Sequence, residues 1–246
     1  MTLIQEYQNG DHVGVWEAIR KMPNDVARRD QAVLDVATST MERVAQNADL
    51  ITNRLSKHGW RALGSDYSDL RTQPTDADQS IIDRVSKISG SPLPVSFGAF
   101  WQTVGGINWV WDYQSGENCP DFGFDIPFDE MDPLCIDPPQ ATTYQLDEWQ
   151  SGEHHLMTGL SKGKFRLDLA PDALHKANIS GGDAYAIYLP SPDSDPKFAN
   201  ERHNLSFVDY LRLAFEWAGF PDLEKHRDHP DVNGFVNEFS DGLLEF

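Results

Sequence analysis

Apolar residues in the first quarter of the chain recur with the period of an α-helix. Between Val33 and Leu55 the apolar positions are three or four residues apart, so one apolar stripe runs along a helix of about seven turns. Gly59 is a stop signal for this helix, and a shorter helix is predicted around Trp16. Residues 1–59 are therefore predicted to form an N-terminal helical extension. The apolar stripe is expected to pack on the chain's own domain, because a helix of this length favours that arrangement. The alternative is that the stripe forms the contact between two copies in a dimer.

Helical periods return four times in the rest of the chain. Capping-box pairs predict helix starts at Thr75 and at Ser206. Between them, Ser96 is predicted to cap a short helix that Gly105 and Gly106 end. A last short helix is predicted near the C-terminus, around Phe235.

The segments between these helices show a period of two, which is typical of strands. From Ile107 to Tyr113, large apolar residues alternate with others, as in a strand with one aromatic face. Residues 154–160 and 164–169 are predicted to form a hairpin, and 183–189 a further strand. Residues 60–246 are therefore predicted to be an α+β domain with an antiparallel or mixed sheet packed by helices.

Charge is distributed very unevenly along the chain. The formal net charge is −19, of which residues 1–72 carry −1 and residues 73–246 carry −18. Residues 88–161 contain no Lys or Arg but eleven carboxylates and four Trp. Acids interleaved with large aromatics indicate a folded segment with a negative face, which repels nucleic acid and attracts a basic partner. The alternative is a surface kept acidic for solubility.

The sequence also indicates a compartment. It has no apolar run long enough for a membrane span and no signal-peptide pattern at its start. Its two cysteines, Cys119 and Cys135, are too few for a disulfide scaffold. These features predict a cytoplasmic protein with reduced thiols, whereas a bridge between the two cysteines would indicate export.

Candidate chemical sites are weak. His226 and His229 are three residues apart, but Pro230 interrupts a helix there and spacing fixes no third metal ligand. Asp193-Ser194-Asp195 begins like a calcium loop but lacks the required Gly and Glu. No nucleophile elbow is present, and abundant Asp residues give chance carboxylate pairs. We predict no catalytic residue, no metal and no cofactor.

Two segments resemble the SUKH superfamily, which includes Smi/Knr-type regulators of cell-wall assembly and bacterial toxin-immunity proteins. The first runs through residues 93–106. Its motif residues are Leu93, Pro94, Phe97, Phe100, Trp101, Gly105 and Gly106. The second, residues 206–221, resembles the C-terminal helix of longer members, and residues 176–182 fit the same kind of member. The resemblance implies an α+β domain without a catalytic centre or cofactor, in which the motif residues are structural.

The leading hypothesis is a non-enzymatic immunity protein that neutralises a toxin, such as a basic nuclease, by protein–protein interaction. Carboxylates on an acidic surface would imitate phosphates, steer encounter and set salt dependence. The predicted partner-binding residues are Asp112, Glu117, Asp121, Asp125, Asp129, Glu130 and Asp132. Two alternatives stay open: a regulatory scaffold that recruits cellular proteins, and a hydrolase with an unrecognised carboxylate or His site.

Overall fold

The computed structural model describes residues 1–64, 70–151 and 164–246. In these ranges, helices pack around two small antiparallel sheets, which confirms the predicted α+β class. The helices are α1 Leu3–Gln8, α2 His12–Arg20, α3 Asn24–Ala27, α4 Gln31–Lys57, α5 Asp78–Ser89, α6 Val95–Thr103, α7 Thr143–Ser151, α8 Ala173–Lys176, α9 Phe207–Glu216 and α10 Pro230–Ser240. Short 3-10 helices are formed by Phe128–Glu130, Pro139–Thr142 and Pro221–His226. The strands are β1 Arg71–Thr72, β2 Gly106–Asn108, β3 Cys135–Ile136, β4 Phe165–Ala170 and β5 Tyr185–Leu189.

The long predicted aromatic strand is mostly absent. Only the start of this stretch pairs in the sheet, where β2 lies between β1 and β3. Beyond it the chain leaves the sheet, and Trp109, Val110 and Trp111 are all buried. The prediction of a strand from Ile107 to Tyr113 was therefore wrong beyond β2, because irregular backbone there buries consecutive side chains.

The second sheet joins two predicted strands that are distant in sequence. β4 pairs antiparallel with β5, with Phe165 opposite Leu189. The predicted hairpin partner, 154–160, lies outside the described residues, as does the turn after it.

The N-terminal helices share the core of the rest of the chain. The apolar stripe of α4 is buried and packs against α6, and the same continuous cluster includes side chains of α9 and α10. Trp16 of α2 donates to the Thr40 hydroxyl of α4 at 3.0 Å. The division into an N-terminal extension, residues 1–59, and a domain, residues 60–246, stays a prediction.

Two helices receive their N-terminal caps from distant parts of the chain. The prediction that Ser96 caps α6 was wrong. The Val95 amide at the start of α6 donates instead to the Asn24 side chain at 3.1 Å. The Val208 amide at the start of α9 donates to buried Asp195 at 3.1 Å. Caps from distant residues satisfy free helix amides and tie separate elements together.

The SUKH-like motif residues occupy the interior. Leu93, Phe97, Phe100 and Trp101 are buried, and the two Phe rings pack against the ring of Phe207 in α9. Pro94 directly precedes α6. No helix in the described part of the chain combines the length and apolar character that crossing a bilayer requires.

Gly105 and Gly106 stand where backbones approach closely. Gly105 has a φ of +86°, and a Cβ placed there would lie 2.2 Å from the carbonyl oxygen of Thr72. A Cβ on Gly106 would lie 2.7 Å from Pro138. The motif glycines therefore permit the tight passage from α6 into β2.

Candidate acidic interface

Residues 112–130, here called the acidic segment, alternate between solvent and protein over their second half. Asp121, Gly123, Asp125 and Pro127 are exposed, whereas the residues between them are half-buried. The half-buried residues are Phe122, Phe124, Ile126 and Phe128. Since successive side chains of extended backbone point to opposite sides, the acids face solvent and the rings face the protein.

Aromatic contacts hold the acidic segment in place. The ring of Phe122 lies 5.4 Å from Trp60 and 4.8 Å from Phe235 of α10, centroid to centroid. Phe124 lies 5.5 Å from Phe235, and Phe128 lies 6.3 Å from Trp60. Each such pair contributes about 0.5–1.5 kcal/mol beyond the burial of area.

These side-chain contacts are the principal attachment. Residues 116–126 form no backbone–backbone hydrogen bond with any described residue. The hydrogen bonds within this stretch are local, such as those from the Gly123 amide to the Asp121 carboxylate at 2.7 Å and from the Glu117 amide to the Ser115 hydroxyl at 3.2 Å. The acidic segment is thus anchored by rings while its outer side stays available for contacts.

The carboxylates of the acidic segment differ in how far they are already paired. Glu117 lies 2.9 Å from Arg61, and Glu130 lies 2.8 Å from His226. The side chains of Asp125 and Asp129 form no hydrogen bond or ion pair with the described residues. Asp112 accepts a hydrogen bond from the Gln114 amide at 3.1 Å. Exposed ion pairs contribute only about 0–1 kcal/mol, so the paired acids can also exchange partners.

One predicted interface residue lies in the interior. Asp132 is fully buried, with one oxygen 2.7 Å from the Lys176 ammonium and the other accepting from the Tyr185 hydroxyl at 3.1 Å. Lys176 is also buried and lies 4.6 Å from the centroid of the Tyr185 ring. The placement of Asp132 on the partner-binding surface was therefore wrong. Sequence reasoning missed Lys176, because no local signal joins residues 44 positions apart.

A second charged group adjoins this buried pair. Asp222 is fully buried and donates its backbone amide to the Met131 carbonyl at 3.3 Å. Its carboxylate pairs with Arg202 and lies 3.3 Å from the Lys225 ammonium. Burial and the negative charge of Asp132 raise the pKa of the Asp222 carboxyl to about 7. The Asp222 carboxylate is therefore explained as the partner of Arg202 and Lys225, and a catalytic role is not needed to account for its burial.

Asp137 is another carboxyl with an altered pKa. Burial and the nearby negative charge of Asp168 raise its pKa to about 7. A raised pKa alone does not identify a catalytic acid, because buried structural carboxyls show the same shift. It does predict how stability depends on pH.

The difference in unfolding free energy between the wild type and Asp137→Asn is expected to change with pH. Folded Asp137 keeps its proton up to about pH 7, whereas an unfolded Asp loses it near pH 4. The folded state therefore binds more protons in this window, and wild-type stability falls as pH rises through it. We expect the variant to match the wild type near pH 4 and to exceed it by about 4 kcal/mol at pH 8, since the pKa differs by about three units between the folded and unfolded states. Urea denaturation across this range measures the difference, and an equal difference at both ends would contradict the assignment.

The metal and thiol sites that were considered from the sequence are not assembled in the described ranges. Within the described ranges, no group of three or more His, Cys, Asp or Glu side chains is placed to hold a metal ion. Asp195 of the calcium-like stretch is buried and pairs with Arg20 instead. Cys119 and Cys135 form no bridge with each other, and burial raises the pKa of the Cys119 thiol to about 11. That thiol is therefore not a reactive thiolate at neutral pH.

Comparison with known proteins adds no identity. No family model matches the chain. No curated protein and no solved structure is significantly similar to it. The SUKH resemblance therefore stays a prediction that rests on the two sequence segments, and function has to be argued from the molecule's own surfaces.

Proposed function

We propose that this protein binds another protein with a basic contact surface, through the acidic segment. The observation that carries the proposal is the alternation over residues 121–128, which anchors aromatic rings inward and presents Asp121 and Asp125 outward. A surface that is ordered before binding loses little conformational entropy on association. Half-buried rings beside the acids can supply apolar contact at the centre of such an interface.

The acidic surface continues beyond the acidic segment onto α10. His58 lies 6.0 Å from the ring of Phe122, and Glu238 of α10 accepts a 3.3 Å contact from the same His58 ring. Glu238 and Asp241 are exposed on this side of the chain. Negative charge on two neighbouring elements favours a partner surface of several Lys and Arg over a single basic side chain.

Within this class, the SUKH-like segments favour an immunity protein that neutralises a toxin in the cytoplasm. A basic nuclease fits the charge of the surface, because carboxylates can occupy the positions that phosphates take in its substrate. The binding is the function in this proposal, and no bond is made or broken.

Reversing three carboxylates of the acidic segment that form no ion pair with the described residues is expected to weaken capture of the partner. In the triple variant Asp121→Lys, Asp125→Lys and Asp129→Lys, we expect the dissociation constant to rise at least tenfold, because attraction becomes repulsion. The matched control reverses Glu17, Glu42 and Asp76, which are exposed on other elements. Both variants change the net charge equally, so only the position of the charges differs.

The measurement is a quantitative pull-down from the native host followed by binding kinetics with the purified retained protein at low and high salt. Partners kept by the wild type and the control but lost by the triple variant support the proposal. A wild-type association rate that falls with salt, against a nearly constant rate for the triple variant, supports electrostatic steering. Equal retention by all three proteins would refute it.

A further inference from the structure

A cavity of about 400 Å³ lies where three short stretches of the chain meet, and none of its lining residues belongs to the acidic segment. Residues 23–29 around α3 form one wall, and the links that contain Ser91-Pro92 and Ser191-Pro192 form the others. Sites for small molecules typically enclose about 300–1,000 Å³. The space is therefore suitable for one small ligand.

The walls of this cavity are fixed by hydrogen bonds from a single buried residue. The Asn24 amide donates to the Pro192 carbonyl at 2.7 Å, which joins the first wall to the third. The Asn24 side chain donates to the Leu93 carbonyl at 3.3 Å and accepts from the Val95 amide at 3.1 Å. Pro23, Pro92 and Pro192 add stiff backbone to the lining. The cavity is therefore preformed.

The lining carries two adjacent cations without counter-ions. The side chains of Arg28 and Arg29 form no ion pair or hydrogen bond with the described residues, although the chain is strongly acidic. By contrast, Arg20 contacts both Asp195 and Asp209. Partial burial and the positive charge of Arg29 lower the pKa of Arg28. A doubly charged anion between the two guanidinium groups would relieve this repulsion.

Hydroxyl groups and one carboxylate complete the polar lining. The hydroxyls of Ser91 and Ser191 donate only at 3.3 Å and 3.5 Å to nearby backbone carbonyls, and the Ser191 hydroxyl also accepts from the Asp193 amide at 3.2 Å. They can turn to donate to the oxygen atoms of an anion. Asp25 lines the same cavity and would repel a bare dianion, but it accepts hydrogen bonds from a ligand that carries donor groups.

We propose that this cavity binds a small phosphomonoester that carries neighbouring hydroxyl groups, such as a sugar phosphate. Arg28 and Arg29 hold the phosphoryl oxygens, the serine hydroxyls add hydrogen bonds, and Asp25 accepts from the hydroxyls of the ligand. The overall negative charge of the protein does not prevent this, since charges beyond about 8 Å are largely screened at physiological salt. The site is separate from the proposed protein-binding surface, so either can fail without the other.

Calorimetric titration of the full chain with glucose 6-phosphate, glucose, inorganic phosphate and a phosphoserine peptide tests the proposal. We expect saturable binding of glucose 6-phosphate and none of glucose. The double variant Arg28→Gln, Arg29→Gln should bind at least tenfold more weakly, and the control Arg227→Gln, at an exposed arginine elsewhere, should bind like the wild type. Asp25→Asn should lose the preference for glucose 6-phosphate over inorganic phosphate while still binding the latter.

Three results would overturn the proposal. The first is no saturable binding by the wild type up to about 10 mM. The second is unchanged affinity in the double variant, with its fold checked by circular dichroism. The third is a preference of the wild type for inorganic phosphate or for the phosphoserine peptide, which would assign a different class of ligand.

Discussion

Asp132→Asn is expected to lower the free energy of unfolding by about 4 kcal/mol, because it leaves a buried ammonium without its counter-ion. Both Asp132 and Lys176 are fully buried, so water cannot replace the missing partner. Asn keeps the size of the side chain and tolerates the φ of +47° at this position, so the substitution isolates the charge. Urea denaturation at pH 7 measures the loss.

A second substitution distinguishes a missing counter-ion from a general disturbance of packing. Adding Lys176→Met to Asp132→Asn removes the unpaired charge and is expected to restore at least half of the lost stability. Asp147→Asn is the control for an exposed pair, because Asp147 contacts Arg84 at the surface and should cost less than about 0.5 kcal/mol. If the double variant is no more stable than Asp132→Asn alone, the buried pair is not the source of the effect.

Gly105→Ala is expected to lower the free energy of unfolding by about 3 kcal/mol. The left-handed φ of +86° costs a side chain about 1 kcal/mol, and the clash with the Thr72 carbonyl adds about 2 kcal/mol. Strand β1 or the end of α6 has to move to make room.

Gly90 offers a matched control for this substitution. It also has a left-handed φ, +70°, but a Cβ there would meet nothing within 4 Å. Gly90→Ala should therefore cost only about 1 kcal/mol, the conformational part alone. Equal losses for the two variants in thermal or urea unfolding would show that the close approach at Gly105 contributes nothing.

Helices α2, α4, α5, α6, α9 and α10 were predicted, because their periodicity is local, whereas α1, α3, α7 and α8 were not. The stripe of α4 repeats over many turns, and Gly59 and Gly90 follow helix ends closely. The Thr75 amide donates to the Asp78 carboxylate at 2.8 Å, which is one half of the predicted capping box, although α5 begins at Asp78 rather than at Thr75. Periodicity and caps of this kind depend on residues within a few positions of each other.

The rest depends on contacts between distant residues. Nothing near Asp132 in the sequence distinguishes it from Asp129. Asp132 is nevertheless buried and paired with Lys176, whereas Asp129 forms no such pair with the described residues. The cap that Asn24 supplies to Val95 crosses 71 positions. The burial of Asp132 and the cap of α6 both depend on a partner that is distant in sequence, which residue spacing does not reveal.

One missed feature did have a sequence signal. Residues 121–128 alternate between polar or small residues and large apolar ones, which is the pattern of an extended segment with one attached side. The abundance of Pro and Asp in the surrounding connection indicated a loop and hid this shorter period. Read alone, the pattern predicts which side of the segment packs.

The interleaving of anchors and acids has an evolutionary consequence. Because Phe122 and Phe124 provide attachment while Asp121 and Asp125 do not, the two sets of positions can change independently. Under the proposed binding function, substitutions at the outward positions can redirect recognition toward a new target with little loss of stability, since exposed changes typically alter stability by less than about 0.5 kcal/mol. If the proposed partner is a toxin whose surface changes over time, such a scaffold lets the binding surface change with it.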